Sequence, residues 1–280
     1  MKAMFKLAIV VLSCLAILAA QDDPALAAAK ALDQEILKLN TLTPDARPAA
    51  IHDLASRVRK QPRSYIATLA FNLCAVTGES DGREVLQDVA NTMVEAIRRS
   101  PAKYVAGNLY TNLASLARYG HVEVTLDDPK YAAAVARLDA DDRQRAAAAF
   151  TLRDLHGQSW ALKDLRGQVV LVNFWSTGCP PCRDEMPDLE QLYRRFRTQG
   201  LVVLAISGDK PADLAKDPVA QKVTFPLLLD PDNTFKDRFR VVGIPKTFLY
   251  DREGRLAGQT LDRPTASGWL ELLSLAGLHE

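Results

Sequence analysis

The chain holds 280 residues, of which 48% are hydrophobic and 25% charged. That mix supplies enough apolar surface to offset chain entropy, which excludes disorder as the main state, and the length suits one large domain or two modest ones. Lys and Arg number 35 against 34 Asp and Glu, a formal net charge of +1. Residues 28–148 carry 16 basic and 15 acidic side chains and residues 149–280 carry 17 of each, so neither half has the long-range field that nucleic-acid binding needs.

The first segment reads as a leader rather than as part of the fold. Lys2 and Lys6 precede an apolar run from Leu7 to Ala20. As a helix that run would span about 21 Å, short of the roughly 30 Å hydrocarbon core of a bilayer. Ala25-Leu26-Ala27 follows, with small residues three and one before a cut at Ala28. This predicts a secretory signal peptide over residues 1–27, cleaved after Ala27; the competing reading is an uncleaved membrane anchor. Cys14 lies inside the apolar run, which makes lipidation the lesser option. The mature chain is therefore expected to be periplasmic or otherwise extracytoplasmic, where disulfides persist. Of the four cysteines, Cys14 falls in the leader, leaving a lone Cys74 and a C-x-x-C pair, Cys179 and Cys182. That is not a disulfide-stapled scaffold.

Residues 28–148 are Ala-rich with helical periodicity, and are expected to form an all-α domain. Ile51, Leu54, Ala55 and Val58 share one helix face, as do Ile66, Leu69, Ala70, Leu73 and Cys74. Val85, Leu86, Val89, Met93 and Ile97 repeat the pattern, followed by Val105, Leu109, Leu113, Leu116 and Ala117. Ser100-Pro101 reads as a helix start, and Gly78 and Gly120 as stops. His121–Leu126 alternates like a short extended piece, and Tyr131–Ala149 returns to helix. No catalytic constellation occurs here. Cys74 lies on an apolar face and reads as a buried small hydrophobe rather than a reactive thiol. The domain's role is open, with docking or oligomerisation as the candidates.

From Phe150 the texture changes. Phe150–Leu152 and Trp160–Leu162 flank His156-Gly157-Gln158, a hairpin signal. Val169–Trp175 and Leu201–Ser207 are near-continuous apolar strands, with a helix from about Cys179 to Thr198 between them. A polar helical stretch at Pro211–Lys222 leads to Phe225–Leu229. Thr234–Phe239 reads as a short helix, Thr247–Tyr250 and Arg255–Thr260 as strands around Glu253-Gly254, and Thr265–Leu275 as a closing helix. Strands alternating with helices predict an α/β sheet covered on both faces.

The chemistry lies in Trp175-Ser176-Thr177-Gly178-Cys179-Pro180-Pro181-Cys182-Arg183. A strand ends, a tight loop follows, and a helix opens at the first cysteine. Orphan N–H groups and the positive end of the helix dipole then face Cys179 and pull its thiol below the free pKa of about 8.5. Cys182 lies one turn along, placed to resolve a mixed disulfide formed by Cys179. A structural zinc site needs about four ligands, and no second cysteine pair or matching histidine spacing exists among His52, His121, His156 and His279. A c-type haem needs His directly after the second cysteine, where Arg183 stands. A purely structural disulfide remains the bland alternative. No metal and no cofactor are expected. Gly208-Asp209-Lys210 follows a strand but lacks the glycine spacing of a phosphate loop.

With its flanks, this motif resembles the thioredoxin superfamily, in particular the TlpA/ResA-like extracytoplasmic branch. The resemblance runs from Phe150 to the C-terminus. It rests on Phe150-x-Leu152, Leu162-x-Asp164-Leu165-x-Gly167, Val169–Trp175, Cys179-Pro180-Pro181-Cys182-Arg183, Glu185-Met186-Pro187 and Gly243-Ile244-Pro245-x-Thr247-Phe248. It implies an α/β thioredoxin-like fold, a central mixed sheet with helices on both faces, over residues 149–280. Pro245 matches the family's cis-proline, and Ile244 before it would offer main-chain hydrogen bonds to a bound polypeptide. Asn173 stands where thioredoxins proper carry a buried acid. Glu185, three residues after Cys182, is implied as the group that exchanges protons with the thiols; the plainer reading is a glutamate favouring a helix N-terminal turn. Gly178 departs from the family's usual Trp, which leaves partner choice open.

The implied activity is an extracytoplasmic thiol–disulfide oxidoreductase. It would act as a protein-disulfide reductase, passing electrons from a membrane thiol donor of the CcdA or DsbD type to oxidised protein thiols, apocytochrome c among the target classes. Two rivals stand beside it. A peroxiredoxin-type peroxidase shares the fold; Ser176 suits its pattern, but Val172 stands where a proline belongs. Alternatively, the redox domain serves mainly to be presented to a partner by the helical domain.

Overall fold

The computed structural model describes residues 23–146 and 150–279. Most of the expected leader lies outside the described residues, and its expected cleavage point falls in the first turn of a helix. Among the described residues no helix is long and apolar enough to cross a membrane. The chain forms two units: one runs through Thr77 and includes Gln87–Leu109, and the other comprises Gly78–Leu86 and everything from Tyr110 onward. The composition boundary at 148/149 falls inside the second unit.

The first unit is helical. It contains α1 (Pro24–Lys38), α2 (Arg47–Arg59), α3 (Ile66–Val76) and most of α4 (Arg83–Arg99). Asp23 caps α1 by accepting from Ala25 N at 2.9 Å, with Pro24 in the first turn. The expected apolar faces are buried: Ile51, Leu54, Ala55 and Val58 on α2, and Ile66, Leu69, Ala70 and Leu73 on α3. Arg57 grips Glu35 with two bonds of 2.6 and 2.7 Å, joining α2 to α1. Cys74, expected to be buried, is half-buried at its surface, and its low-dielectric surroundings push the thiol up to about 12. Ser100-Pro101 opens only a 3₁₀ turn, Ala102–Tyr104. Val105 then turns extended (φ −96°, ψ 100°), and the next α-helix starts at Gly107.

The second unit holds α5 (Gly107–Tyr119, from Tyr110 on) and α6 (Pro129–Ala146), then β1 (Thr151–Arg153) and β2 (Ser159–Ala161), β3 (Val169–Trp175), α7 (Pro180–Phe196) and β4 (Leu201–Ser207). It continues with α8 (Pro211–Leu214), β5 (Leu227–Leu229), α9 (Thr234–Arg238), β6 (Lys246–Tyr250), β7 (Leu256–Gln259) and α10 (Ala266–Ser274). His121–Leu126, expected to be extended, pairs with no strand, and His121 itself stands at φ 52°. The expected helix over Pro211–Lys222 breaks after Leu214. Pro218 disfavours helix at the residue before it, and Asp217 accepts from Val219 N and Ala220 N, both at 2.9 Å, to start a new turn.

β1 and β2 form the expected hairpin, with Gly157 at φ 83° in the turn. The five-stranded sheet has the order β5-β4-β3-β6-β7. β3, β4 and β5 run parallel, β6 pairs antiparallel with β3, and β7 pairs antiparallel with β6. All seven residues of β3 are buried, as a central strand covered on both faces requires. Val169, Leu171 and Trp175 face Met186, Leu189 and Phe196 of α7 and Trp269, Leu272 and Leu273 of α10. Val170, Val172 and Phe174 face Phe150 and Leu152 from the hairpin side, together with Phe239, Phe248 and Tyr250. α6 is tied to this second face: Tyr250 Oη donates to Arg145 O at 3.1 Å, and Arg145 Nε donates to Phe239 O at 3.0 Å.

Phe174 is 2% exposed and touches both Phe239 and Phe248. Phe174→Ala should destabilise the protein by about 3–5 kcal/mol. Leu37→Ala, at a position 48% exposed, should stay within about 0.5 kcal/mol; urea unfolding followed by circular dichroism measures both.

Candidate active site

β3 delivers the chain to Trp175, and Ser176–Gly178 turn it into α7. Cys179 is the N-cap residue of that helix, in extended conformation at φ −103°, ψ 103°. Pro180 and Pro181 take the first two helical positions, where a missing N–H leaves nothing unsatisfied. The first amide free to cap is therefore that of Cys182, and it donates to Cys179 Sγ at 3.3 Å. The two sulfurs form a disulfide, with Cα atoms 5.3 Å apart. Gly178, Pro180 and Pro181 are exposed and Cys179 is half-buried, whereas Cys182 is 1% exposed. Only Cys179 is open to a macromolecular partner.

The Ile244–Pro245 peptide is cis. Ile244 O lies 3.7 Å from Cys179 Sγ, which sets this loop beside the disulfide. Pro245 is buried, while Val242 is fully exposed and Gly243 exposed.

Glu185 is 1% exposed, one helical turn beyond Cys182. Asn173 shares the α7-facing side of β3, and its Nδ2 donates to Glu185 Oε1 at 2.7 Å and to Thr247 Oγ1 at 2.9 Å. Glu185 Oε2 and Asn173 Oδ1 are buried without partners. Burial pushes the Glu185 carboxyl well above the usual carboxylate range. Arg263 pulls it down, and Asp262, Asp188 and Glu79 push it further up. Burial therefore favours the neutral form of this carboxyl, one helical turn from Cys182.

Sequence reading missed three groups. Asn173, which the sequence marks only as standing in place of an acid, donates to the buried Glu185 carboxyl. Glu79 comes from a 3₁₀ turn, Glu79–Asp81, whose first N–H donates to Asp262 Oδ1 at 2.8 Å. Burial pushes its carboxyl up to about 8. Lys246, next to Pro245, donates to Thr260 O, and its ammonium lies 5.2 Å from the Tyr119 ring centre. Burial brings it down to about 8. Sequence carried no signal for Glu79, since its partner is 183 residues away. Among the described residues no group of three or more His, Cys, Asp or Glu is placed to hold a metal.

A dithiol/disulfide pair at a helix N-terminus, beside a cis-proline loop and above a mixed sheet, defines a thioredoxin-like redox protein. The AhpC/TSA family profile matches residues 144–259. The thiol-disulfide oxidoreductase ResA of Bacillus thuringiensis (strain Al Hakam) is 33% identical over 117 residues, 41% of this chain and 68% of that protein. ResA of Geobacillus kaustophilus is 37% identical over 109 residues, 38% of this chain and 62% of that protein. Among solved structures, a putative thiol:disulfide interchange protein DsbE from Chlorobium tepidum is 32% identical, with a TM-score of 0.43, covering 47% of this chain and 95% of that one. The chain belongs to the ResA family of thiol-disulfide oxidoreductases.

Replacing Glu185 with Gln should slow resolution of a mixed disulfide by on the order of 100-fold, read as single-turnover release of the substrate thiol. An unchanged pH–rate profile would remove Glu185 from proton transfer. A second outcome concerns stability. With a folded-state pKa of about 8 for Glu79, against about 4.3 unfolded, the folded protein binds the extra proton across that window, so stability falls as pH rises through it. Glu79→Gln should flatten that decline, seen as a smaller difference in urea midpoint between pH 5 and pH 8.

Proposed function

We propose that the protein is an extracytoplasmic protein-disulfide reductase. The observation that supports this most is the accessible Cys179 sulfur at the α7 N-terminus, disulfide-bonded to a buried Cys182 and flanked by Ile244 and Pro245. In the reduced form the Cys179 thiolate, favoured by the Cys182 N–H and the helix dipole, attacks one sulfur of a substrate disulfide. That S–S bond breaks, one substrate thiolate leaves, and a mixed disulfide forms. Cys182 then gives its proton to the Glu185 carboxylate and attacks Cys179 Sγ. The second substrate thiolate leaves and the 179–182 disulfide closes. Protonated Glu185 is the product of that step, and the burial that favours its neutral form lets it hold the proton until re-reduction.

Ile244 offers its main chain to the bound polypeptide, with Pro245 keeping that backbone free and the exposed Val242 presenting an apolar contact. Electrons would arrive from a membrane thiol donor of the CcdA or DsbD type, and apocytochrome c is one target class. The leader over 1–27 accounts for the compartment, and the helical residues 28–148 would serve docking or oligomerisation.

A peroxiredoxin-type peroxidase is the second reading, favoured by the name of the matching AhpC/TSA profile and by Ser176 three residues before Cys179. Val172, where a proline belongs, and the resolving Cys182 one turn away weigh against it.

The midpoint potential of the Cys179–Cys182 couple in glutathione buffers decides the direction of electron flow; a value well below the glutathione poise supports the reductase. Cys179→Ser should abolish insulin-disulfide reduction, and Cys182→Ser should accumulate a mixed disulfide visible on non-reducing gels. Peroxide consumption faster than disulfide reduction would replace this reading with the peroxidase.

A further inference from the structure

Gly208-Asp209-Lys210 found no role in the sequence reading, yet the sheet carries it to the redox loop. β3 and β4 run parallel with Trp175 opposite Ser207, so the residues just past each strand end lie side by side, at the carboxyl edge where open α/β sheets build their sites. There Thr177 N donates to Asp209 Oδ2 at 2.7 Å. The carboxylate is itself locked. Ser207 Oγ, on a residue 1% exposed, donates to the same oxygen at 3.0 Å and accepts from Asp209 N at 3.1 Å. The turn before it is tight, since a Cβ on Gly208 would lie 2.7 Å from Asn233 Oδ1.

The other side of Thr177 is held as well. Its carbonyl accepts from Arg183 Nη1 at 3.2 Å, and Arg183 is ion-paired to Asp217. Beyond Thr177 comes Gly178, which has no side chain to anchor; a Cβ there would meet nothing nearer than Ser176 Oγ at 4.0 Å. Cys179 follows, its N–H turned back to Ser176 O at 3.2 Å. The placement of the attacking sulfur against the Cys182 N–H therefore depends on how firmly Thr177 is fixed.

We propose that Asp209 is a positioning residue for Cys179, acting through the Thr177 main chain to hold the loop that carries the attacking sulfur. The assignment rests on the redox reading above. Without the anchor, the loop loses its alignment with the helix N-terminus, and the thiolate loses part of its stabilisation. The Asp209 charge works in the opposite sense, since a carboxylate near a thiolate disfavours it. Charge and anchoring must therefore be separated. Asp209→Asn removes the charge and keeps an oxygen to accept from Thr177 N; Asp209→Ala removes both. Arg183, Asp217 and Glu185, and Asp230 and Lys236, which line the cleft beside Asp209 with Ser176 and Ile244, are the same in each.

The test is the pH dependence of Cys179 alkylation by iodoacetamide in the reduced full-length chain, read by peptide mass spectrometry. At pH 7 the Ala variant should react about three- to tenfold more slowly than the Asn variant, the effect of one lost hydrogen bond, with its pH midpoint displaced upward. Ser207→Ala, which unlocks the carboxylate without changing charge, should move the profile the same way from the native one, and it decides the matter if Asp209→Ala does not fold. Superimposable profiles for the Asn and Ala variants would overturn the proposal and leave Asp209 a purely structural residue. Failure of the native protein to cycle between dithiol and disulfide with dithiothreitol would instead remove the redox reading itself.

Discussion

One main-chain hydrogen bond, 3.3 Å from the Cys182 amide to the Cys179 sulfur, sets what the larger unit is arranged to support. It forms because Cys179 occupies an N-cap, where a side chain accepts from the first turn. Two prolines fill the positions whose amides would otherwise compete for the sulfur. The strand, loop and helix around it each fix one coordinate. β3, buried on both faces, fixes where the loop begins; α7, sealed by Met186, Leu189 and Phe196, fixes the direction of the dipole; and the loop between them is pinned by its main chain.

Behind the sulfurs the sheet departs from an apolar interior. Asn173, Thr247 and Glu185 form a polar layer that is 1% exposed or less at every member. Its bonds run from one amide nitrogen to a carboxyl and a hydroxyl, and an oxygen on each of Asn173 and Glu185 is left without a partner. Burying such atoms unpaired costs about 1–3 kcal/mol each by mutational measure. The hydrophobic clusters on both sides of the sheet offset that cost.

Much of this was legible in the amino acids. β3 and β4 could be read to the residue because near-continuous apolar runs of seven residues leave little room for another register, and the start of α7 followed from the spacing of cysteines and prolines. Shorter elements were less legible. α8 stops after one turn because Pro218 and the Asp217 side chain start a new turn, an effect that helical periodicity does not register. The Ser100-Pro101 signal was sound as a local start, but Val105 turns extended, so only a 3₁₀ turn survives. Least legible were contacts across long separations. Glu79 sits in a stretch with no motif, and its electrostatic bearing on Glu185 exists only once the chain has folded back onto Asp262. Asn173 was visible as a position, and its function was not, because which of its atoms face which partner depends on β6 lying beside β3.

The surroundings of Cys74 have a consequence for how the molecule handles oxidation. Intramolecular reshuffling requires a third sulfur that can ionise and reach the pair. Among the described residues the remaining thiol is the half-buried Cys74 on α3, pushed toward its protonated form. Among the described residues, then, the crosslink has no readily ionised third sulfur to reshuffle with, and its exchange falls to the molecules it meets.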